Sequence, residues 1–207
     1  MDDAQIIRRL VVGDDKFNLD IPRIGYFIVY EGNNSWFSRQ IKRVQKDQGL
    51  KEWNYTHIEI SGGGQWTVGA IMPKAKLIDI LKKYKGRKVR IVKYKEYEGN
   101  DKRYKVGWFT ATLCNLPYGW WTAVWYLLRE KFAKLTPWTT KRSPVCSVLC
   151  AWGLTRVFKD AFEDYREILP AHFLNEEKFE VVWEGIIDDP DEIDEERDIL
   201  KKLMEDK

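Results

Sequence analysis

"YTHIEISGGGQWTVGAI", Tyr55 to Ile71, is the stretch on which the reading of this chain turns. Two β-rich runs, "YTHIEI" and "QWTVGAI", flank a glycine turn, the pattern of a β-hairpin. Alternation along a strand puts His57 and Glu59 on one face and Ile58 and Ile60 on the other. A carboxylate two residues from an imidazole on the same face is close enough to orient the ring or stabilise its charge. The same spacing also suits a partly exposed cross-strand pair.

Working outward, the chain alternates strand and helix signals. Residues 1–20 read as a short helix and a loop. "IGYFIVY" (Ile24 to Tyr30) reads as a buried strand, and Ser35 to Gly49 as a helix with a serine cap and a glycine stop. Beyond the hairpin, "KLIDILKKY" (Lys76 to Tyr84) reads as a short helix and "KVRIVKYK" (Lys88 to Lys95) as a strand alternating at period two. A helix begins at Tyr104 and continues past Pro117 to Leu135. Another follows Ser143-Pro144, and a turn or short helix from Ile168 leads into a last strand ending near Gly185. The fold class expected is α+β, with one domain over residues 1–187 and a charged acidic helix or tail over 188–207.

Composition narrows the classes of function. The 207 residues suffice for a real core, and ten tryptophans supply area together with a polar N–H. No apolar run of about 18 residues predicts a transmembrane helix. The acidic start "MDDAQIIRRLVVGDD" has no apolar core of a signal peptide, which predicts a cytoplasmic protein, reaching the outside only by lysis or in a virion. Three cysteines and two histidines, without Cys-x-x-Cys or His-x-x-x-His, argue against a disulfide framework and a zinc site; no metal or cofactor is expected. The net charge of +3 hides an asymmetry. From Asp188 onward ten acids face four bases, a net of −6, which leaves +9 for the rest. Between Lys74 and Lys95 ten basic residues accompany one acid, Asp79, so this stretch is a candidate basic face for nucleic acid or another anionic polymer. The simpler reading is a solvated amphipathic strand, since "KVRIVKYK" alternates at period two.

"KRSPVCSVLCAWGLTRVF", Lys141 to Phe158, holds Cys146 and Cys150. A helix N-terminus favours a thiolate, because its free N–H groups and macrodipole stabilise negative charge. That position, just after Ser143-Pro144, belongs to Cys146; Cys150 lies a turn deeper. Two buried structural thiols would also fit these residues. His172, in "LPAHFLN", has no comparable acidic neighbour and reads as loop surface.

Several segments, in order, resemble the circularly permuted branch of the NlpC/P60 papain-like superfamily, whose members place the catalytic histidine before the cysteine. "PRIGYFIVYEGNNSWFSRQIKRVQ" resembles its opening strand and helix. "WNYTHIEISGGGQWTVGAIMPKAKL" resembles its histidine strand, hairpin and return strand, and "NLPYGWW" its Pro-Tyr turn. "SPVCSVLCAWGL" resembles the cysteine helix, and "ILPAHFLNEEKFEVVWEG" the closing segment and strand. The resemblance runs from about Pro22 to Gly185. It implies a permuted papain-like fold, an antiparallel sheet packed against helices that include the cysteine helix. It also implies Cys146 as nucleophile and His57 as general base. The chain departs from the family at Val148, where many members carry glutamate after Cys-Ser, and at Gly69, near a return-strand glutamate. Glu59 is therefore the expected orienting group, with Thr67 or Gln65 as substitutes, and Tyr118 and Thr67 are expected to meet substrate.

The function expected is that of a cysteine hydrolase of peptidase or amidase type, forming an acyl-enzyme on a cell-wall peptide, an isopeptide or a lipid acyl bond. Trp120, Trp121, Trp125 and Trp138 could wall an acyl groove or pack a core. The alternative is a non-catalytic binding module of the same fold that uses Lys74 to Lys95 for nucleic acid or anionic polymer. Oligomeric state is not readable from these residues.

Overall fold

The strand-rich half of the sequence builds one six-stranded antiparallel sheet, and helices cover it. The computed structural model describes residues 17, 20, 22–97, 99–119, 144–175 and 177–187. In chain order the elements are β1 (Phe27–Glu31), α1 (Trp36–Asp47), β2 (Tyr55–Gly63), β3 (Trp66–Ile71), β4 (Lys74–Asp79), α2 (Ile80–Tyr84) and β5 (Lys88–Tyr94). Then follow α3 (Asn100–Thr112), α4 (Cys146–Val157), a 3₁₀ turn (Tyr165–Glu167), α5 (His172–Asn175) and β6 (Phe179–Ile186). Strand order across the sheet is β4-β3-β2-β1-β5-β6. The fold class is α+β.

β1 reads as a continuous apolar run because both its faces are covered. Phe27 and Val29 join a core with Ile58, Ile60, Val92 and the buried side of α4 (Leu149, Cys150, Leu154). Ile28 and Tyr30 point the other way, into a second core with Ile78, Ile80, Tyr84, Val89 and Ile91. α1 is capped as its sequence suggests: the Ser35 side chain accepts from the Ser38 N–H, and Gly49 takes the left-handed conformation, φ 74°, just past the helix end.

Two readings of the sequence are corrected. The helix expected from Tyr104 past Pro117 runs from Asn100 to Thr112 and stops there, with Pro117 forming a β-bridge to Lys74. Lys76 to Tyr84, expected as a helix, divides into strand β4 and the short helix α2. β4 pairs with β3 from Ile71↔Lys74 to Trp66↔Asp79. Asp79 then caps α2 by accepting from the Lys82 N–H. The residues are too few for a free-standing helix, and the ladder offered by β3 outweighs local preference.

The basic stretch is divided as well. β4 lies at one edge of the sheet, and β5 lies on the far side of three intervening strands. On β5, Lys88 and Arg90 pair with Glu184 of β6, Arg90 also with Glu52, and Lys93 pairs with Glu180. Lys74 to Lys95 is therefore not one uncompensated face. The expected helices at the N-terminus and over residues 120–135, the four tryptophans 120, 121, 125 and 138, and the tail 188–207 lie outside the described residues.

Two constraints position the site. β2 and β3 pair only at Ile60↔Val68, Ser61↔Thr67 and Gly63↔Trp66. β2 nevertheless runs on beside β1 as far as Tyr55, so its first half diverges from β3. The wall opposite is fixed by Gln45, which is fully buried on α1. Its Nε2 donates to the carbonyls of Trp53 and Tyr55 at 2.7 and 2.8 Å, and its Oε1 accepts from the Ala171 N–H at 2.9 Å. Replacing it leaves buried backbone groups without partners. Gln45→Leu is expected to lower stability by about 1–3 kcal/mol in urea unfolding, with the denaturant slope unchanged.

Candidate active site

Cys146 is the first residue of α4, behind the N-cap Val145, whose side chain makes no capping hydrogen bond. The helix start meets β2 where that strand has parted from β3. The Ile58 N–H and the Ser147 N–H of the helix's own first turn lie toward the Cys146 sulfur and stabilise negative charge there. His57, the residue before Ile58, lies beside the same sulfur, and the two line one cleft. The sulfur thus fills a gap where a strand partner would otherwise have been.

Glu59 holds the other side of the imidazole. Its Oε1 lies 2.9 Å from His57 Nε2, which leaves Nδ1 for the sulfur. Glu59 is completely buried and takes three further hydrogen bonds, from the hydroxyls of Tyr30 (3.1 Å), Tyr84 (2.5 Å) and Thr67. Tyr30 stands opposite His57 in the β1–β2 register, which places its hydroxyl beside the carboxylate. Tyr84 packs against Tyr30, the rings tilted at 36° with centroids 4.1 Å apart. Gly69 completes the enclosure. A Cβ there would lie 2.7–2.9 Å from Glu59 Cγ, Oε1 and Cδ, so the missing side chain on the return strand makes room for the carboxylate of β2.

The charges follow from these contacts. Burial alone would raise Cys146, but the imidazolium of His57 and its hydrogen bond, then the Ile58 and Ser147 N–H groups, hold it below the ordinary thiol range. Burial opposes a charge on His57, yet the Cys146 thiolate and the bonds to Cys146 and Glu59 outweigh it and push the imidazole up to about 10. Burial likewise works against ionised Glu59, and His57, Thr67 and Tyr84 reverse it, keeping the carboxyl below its usual value. Burial, reinforced by the charge of Glu59, pushes Tyr30 and Tyr84 far up, so both remain phenols that donate. The other two thiols differ: burial raises Cys114, and burial together with the charges of Cys146 and Glu59 raises Cys150.

A cleft of about 480 Å³ opens over the sulfur, lined by His57, Tyr84, Tyr118 and Cys146 among others. The His57 side chain is 19% exposed and Cys146 6%, enough for a small reactant to reach both. Tyr118 borders this cleft, its hydroxyl pushed up by burial and by the Cys146 charge.

The structure thus brings together Cys146, His57, Glu59 and Tyr118. Thr67, expected to meet substrate, is instead fully buried and donates to Glu59, because its β3 position faces the carboxylate rather than the cleft. Gln65 lies elsewhere, bonded to Asp79 at 3.0 Å. His172 is not free loop surface; its Nδ1 accepts from the Leu169 N–H at 2.9 Å. Tyr30 and Tyr84 escaped the sequence reading. The signal for Tyr30 was its alternation with Phe27 and Val29 on β1, but no local pattern marks a pairing with Glu59. Among the described residues no cluster of three histidines, cysteines or acids could hold a metal ion, and no helix is long and apolar enough to cross a membrane. No protein-family model matches the chain, and no curated protein matches it.

The thiolate–imidazolium pair should exist from below the ordinary thiol pKa of about 8.5 up to about 10, where His57 loses its proton. Iodoacetamide alkylation followed residue by residue from pH 5 to pH 10 is expected to show Cys146 titrating below Cys114 and Cys150. His57→Ala should raise the Cys146 midpoint by a unit or more, slowing labelling at pH 6 by about tenfold or more per unit. Gly69→Ala, by displacing Glu59 and so loosening its hold on His57, is expected to shift the Cys146 midpoint upward and to lower the melting temperature.

Proposed function

We propose that this protein is a thiol hydrolase that acts through an acyl-enzyme on Cys146, in a permuted NlpC/P60-like arrangement. One observation carries the reading. Cys146 is the only one of the three thiols held below its ordinary pKa, and it sits beside an imidazole that a buried carboxylate orients, under an open cleft. A strand bearing the histidine before a helix bearing the cysteine, in a sheet whose strands are antiparallel, supports the permuted arrangement.

The Cys146 thiolate attacks the carbonyl carbon of an amide or ester, forming a C–S bond and an oxyanion. The Cys146 N–H, at the start of α4, would serve as a donor to that oxyanion. As the tetrahedral species collapses, the bond to the leaving nitrogen or oxygen breaks and His57 gives that atom its proton. Water then attacks the thioester, His57 accepts its proton, and the acid departs from a regenerated thiolate. Glu59 stays ionised throughout. It fixes the ring orientation and stabilises the imidazolium, and Tyr30, Tyr84 and Thr67 hold it in place.

Among the described residues the cations of β5 are compensated by β6 and by Glu52, which counts against the non-catalytic module's use of that strand as a basic face. An activated ester such as p-nitrophenyl octanoate should give a burst of nitrophenol equal to the protein concentration. Intact-mass analysis should show one octanoyl group, mapping to Cys146. Cys146→Ala should show neither, and His57→Ala should slow acylation by about 10²-fold or more. Acyl transfer that survives Cys146→Ala would refute the assignment.

A further inference from the structure

The lining of the cleft is divided by chemistry. α1 contributes Phe37 and Ile41, and the end of β3 with its turn contributes Ile71 and Met72, an apolar wall beside the thiol. Met72 is 61% exposed and Trp36, at the same mouth, 57%, unusual exposure for side chains of this size. Besides the His57 imidazolium, two cations line the cleft, Lys83 on α2 and Arg87 just beyond it, and none of the described lining residues is a carboxylic acid.

These two cations differ from their neighbours in sequence. Lys82 pairs with Asp79, Lys88 and Arg90 with Glu184, and Lys93 with Glu180. Among the described residues neither Lys83 nor Arg87 has a carboxylate partner. Arg87 is nevertheless fixed in place: its Nη2 donates to the Glu31 carbonyl at 2.5 Å, which leaves further guanidinium donors for a ligand. It also lies near enough to Tyr84 for its charge to act on that hydroxyl, so the cation stands beside the floor of the site. A cavity of about 480 Å³ matches a small-molecule ligand, with apolar walls for burial and a few polar groups for orientation.

We propose that the cleft takes an amphiphilic acyl compound that carries an anionic group, a carboxylate or a phosphate. The apolar portion lies along Phe37, Ile41, Ile71 and Met72, and the anion meets Lys83 and Arg87. Arg87 supplies the directional, forked contact and Lys83 a mobile point charge. This specifies the substrate class of the hydrolase proposed above and rests on that reading, because it assigns the same cleft.

Titration calorimetry of the full chain with four ligands of equal chain length tests it: octyl phosphate, octanoate, octanol and octyltrimethylammonium, with inorganic phosphate as a fifth. The expected result is that octyl phosphate, octanoate or both bind at least tenfold tighter than octanol and the ammonium compound. Inorganic phosphate should bind more weakly than octyl phosphate, and the bound anionic amphiphile should slow iodoacetamide labelling of Cys146. The order of octyl phosphate and octanoate identifies the anion. Lys83→Glu, at an exposed position, should cut the preference for anion over octanol by threefold or more. Arg87→Gln should do the same, with circular dichroism confirming its fold. Equal affinity for the four amphiphiles, or a preference unchanged in both variants, would overturn the proposal. The calorimetry needs no reactive thiol. Labelling of Cys146 no faster than Cys114 would therefore defeat the hydrolase reading alone, and equal affinities would defeat the substrate assignment alone.

Discussion

A fully buried carboxylate organises the centre of this molecule. Taking a charge out of water costs several kcal/mol unless its lone pairs are satisfied. Glu59 meets that condition with four donors from four positions: His57 on its own strand, Tyr30 on β1, Thr67 on β3 and Tyr84 on α2. Each is thereby tied to the others. The phenols cannot ionise beside the charge, so they stay donors, and the imidazole can turn only one nitrogen toward the cleft. Gly69 belongs to the same constraint, since any side chain there would occupy the space of the carboxylate.

The second organising feature is the parting of β2 from β3. A continuous ladder would have used the Ile58 N–H for a strand partner and closed the surface above His57. Because pairing stops at Ile60↔Val68, that N–H is available to the Cys146 sulfur, and the start of α4 fits against the strand. The cleft, the thiol and the imidazole are therefore consequences of one break in the sheet. Gln45 fixes α1 to the start of β2 and to Ala171, which holds the facing wall at its distance.

Local signals were reliable where one physical effect dominates. The glycine hairpin and the capped helix α1 follow from turn chemistry and capping, and Cys146 falls in the first turn of α4 as expected, although the N-cap there is Val145, whose side chain makes no capping bond. The placement of His57 and Glu59 on one face follows from strand alternation alone. The misreading of Lys76 to Tyr84 has the opposite cause. "KLIDILKKY" carries a helical spacing of apolar residues, but β3 offered a ladder, and half the segment joined it. The basic stretch misled for a related reason: charge counted along the chain ignores that β4 and β5 lie three strands apart and that β6 brings Glu180 and Glu184 to β5.

By itself the sequence determined the α+β class, the hairpin that carries His57 beside Glu59, and the rank of Cys146 over Cys150 by helix position. These are short-range matters of pleat, turn and dipole. The tertiary structure decided that Tyr30, Tyr84 and Thr67 would converge on Glu59, that Thr67 would support the carboxylate instead of facing the cleft, and that Lys83 and Arg87 would share a cavity with the thiol. Tyr30 and Tyr84 lie 29 and 25 positions from Glu59, and Lys83 and Arg87 lie still farther from Cys146 along the chain, so only the antiparallel register and the divergence of β2 from β3 bring these residues together.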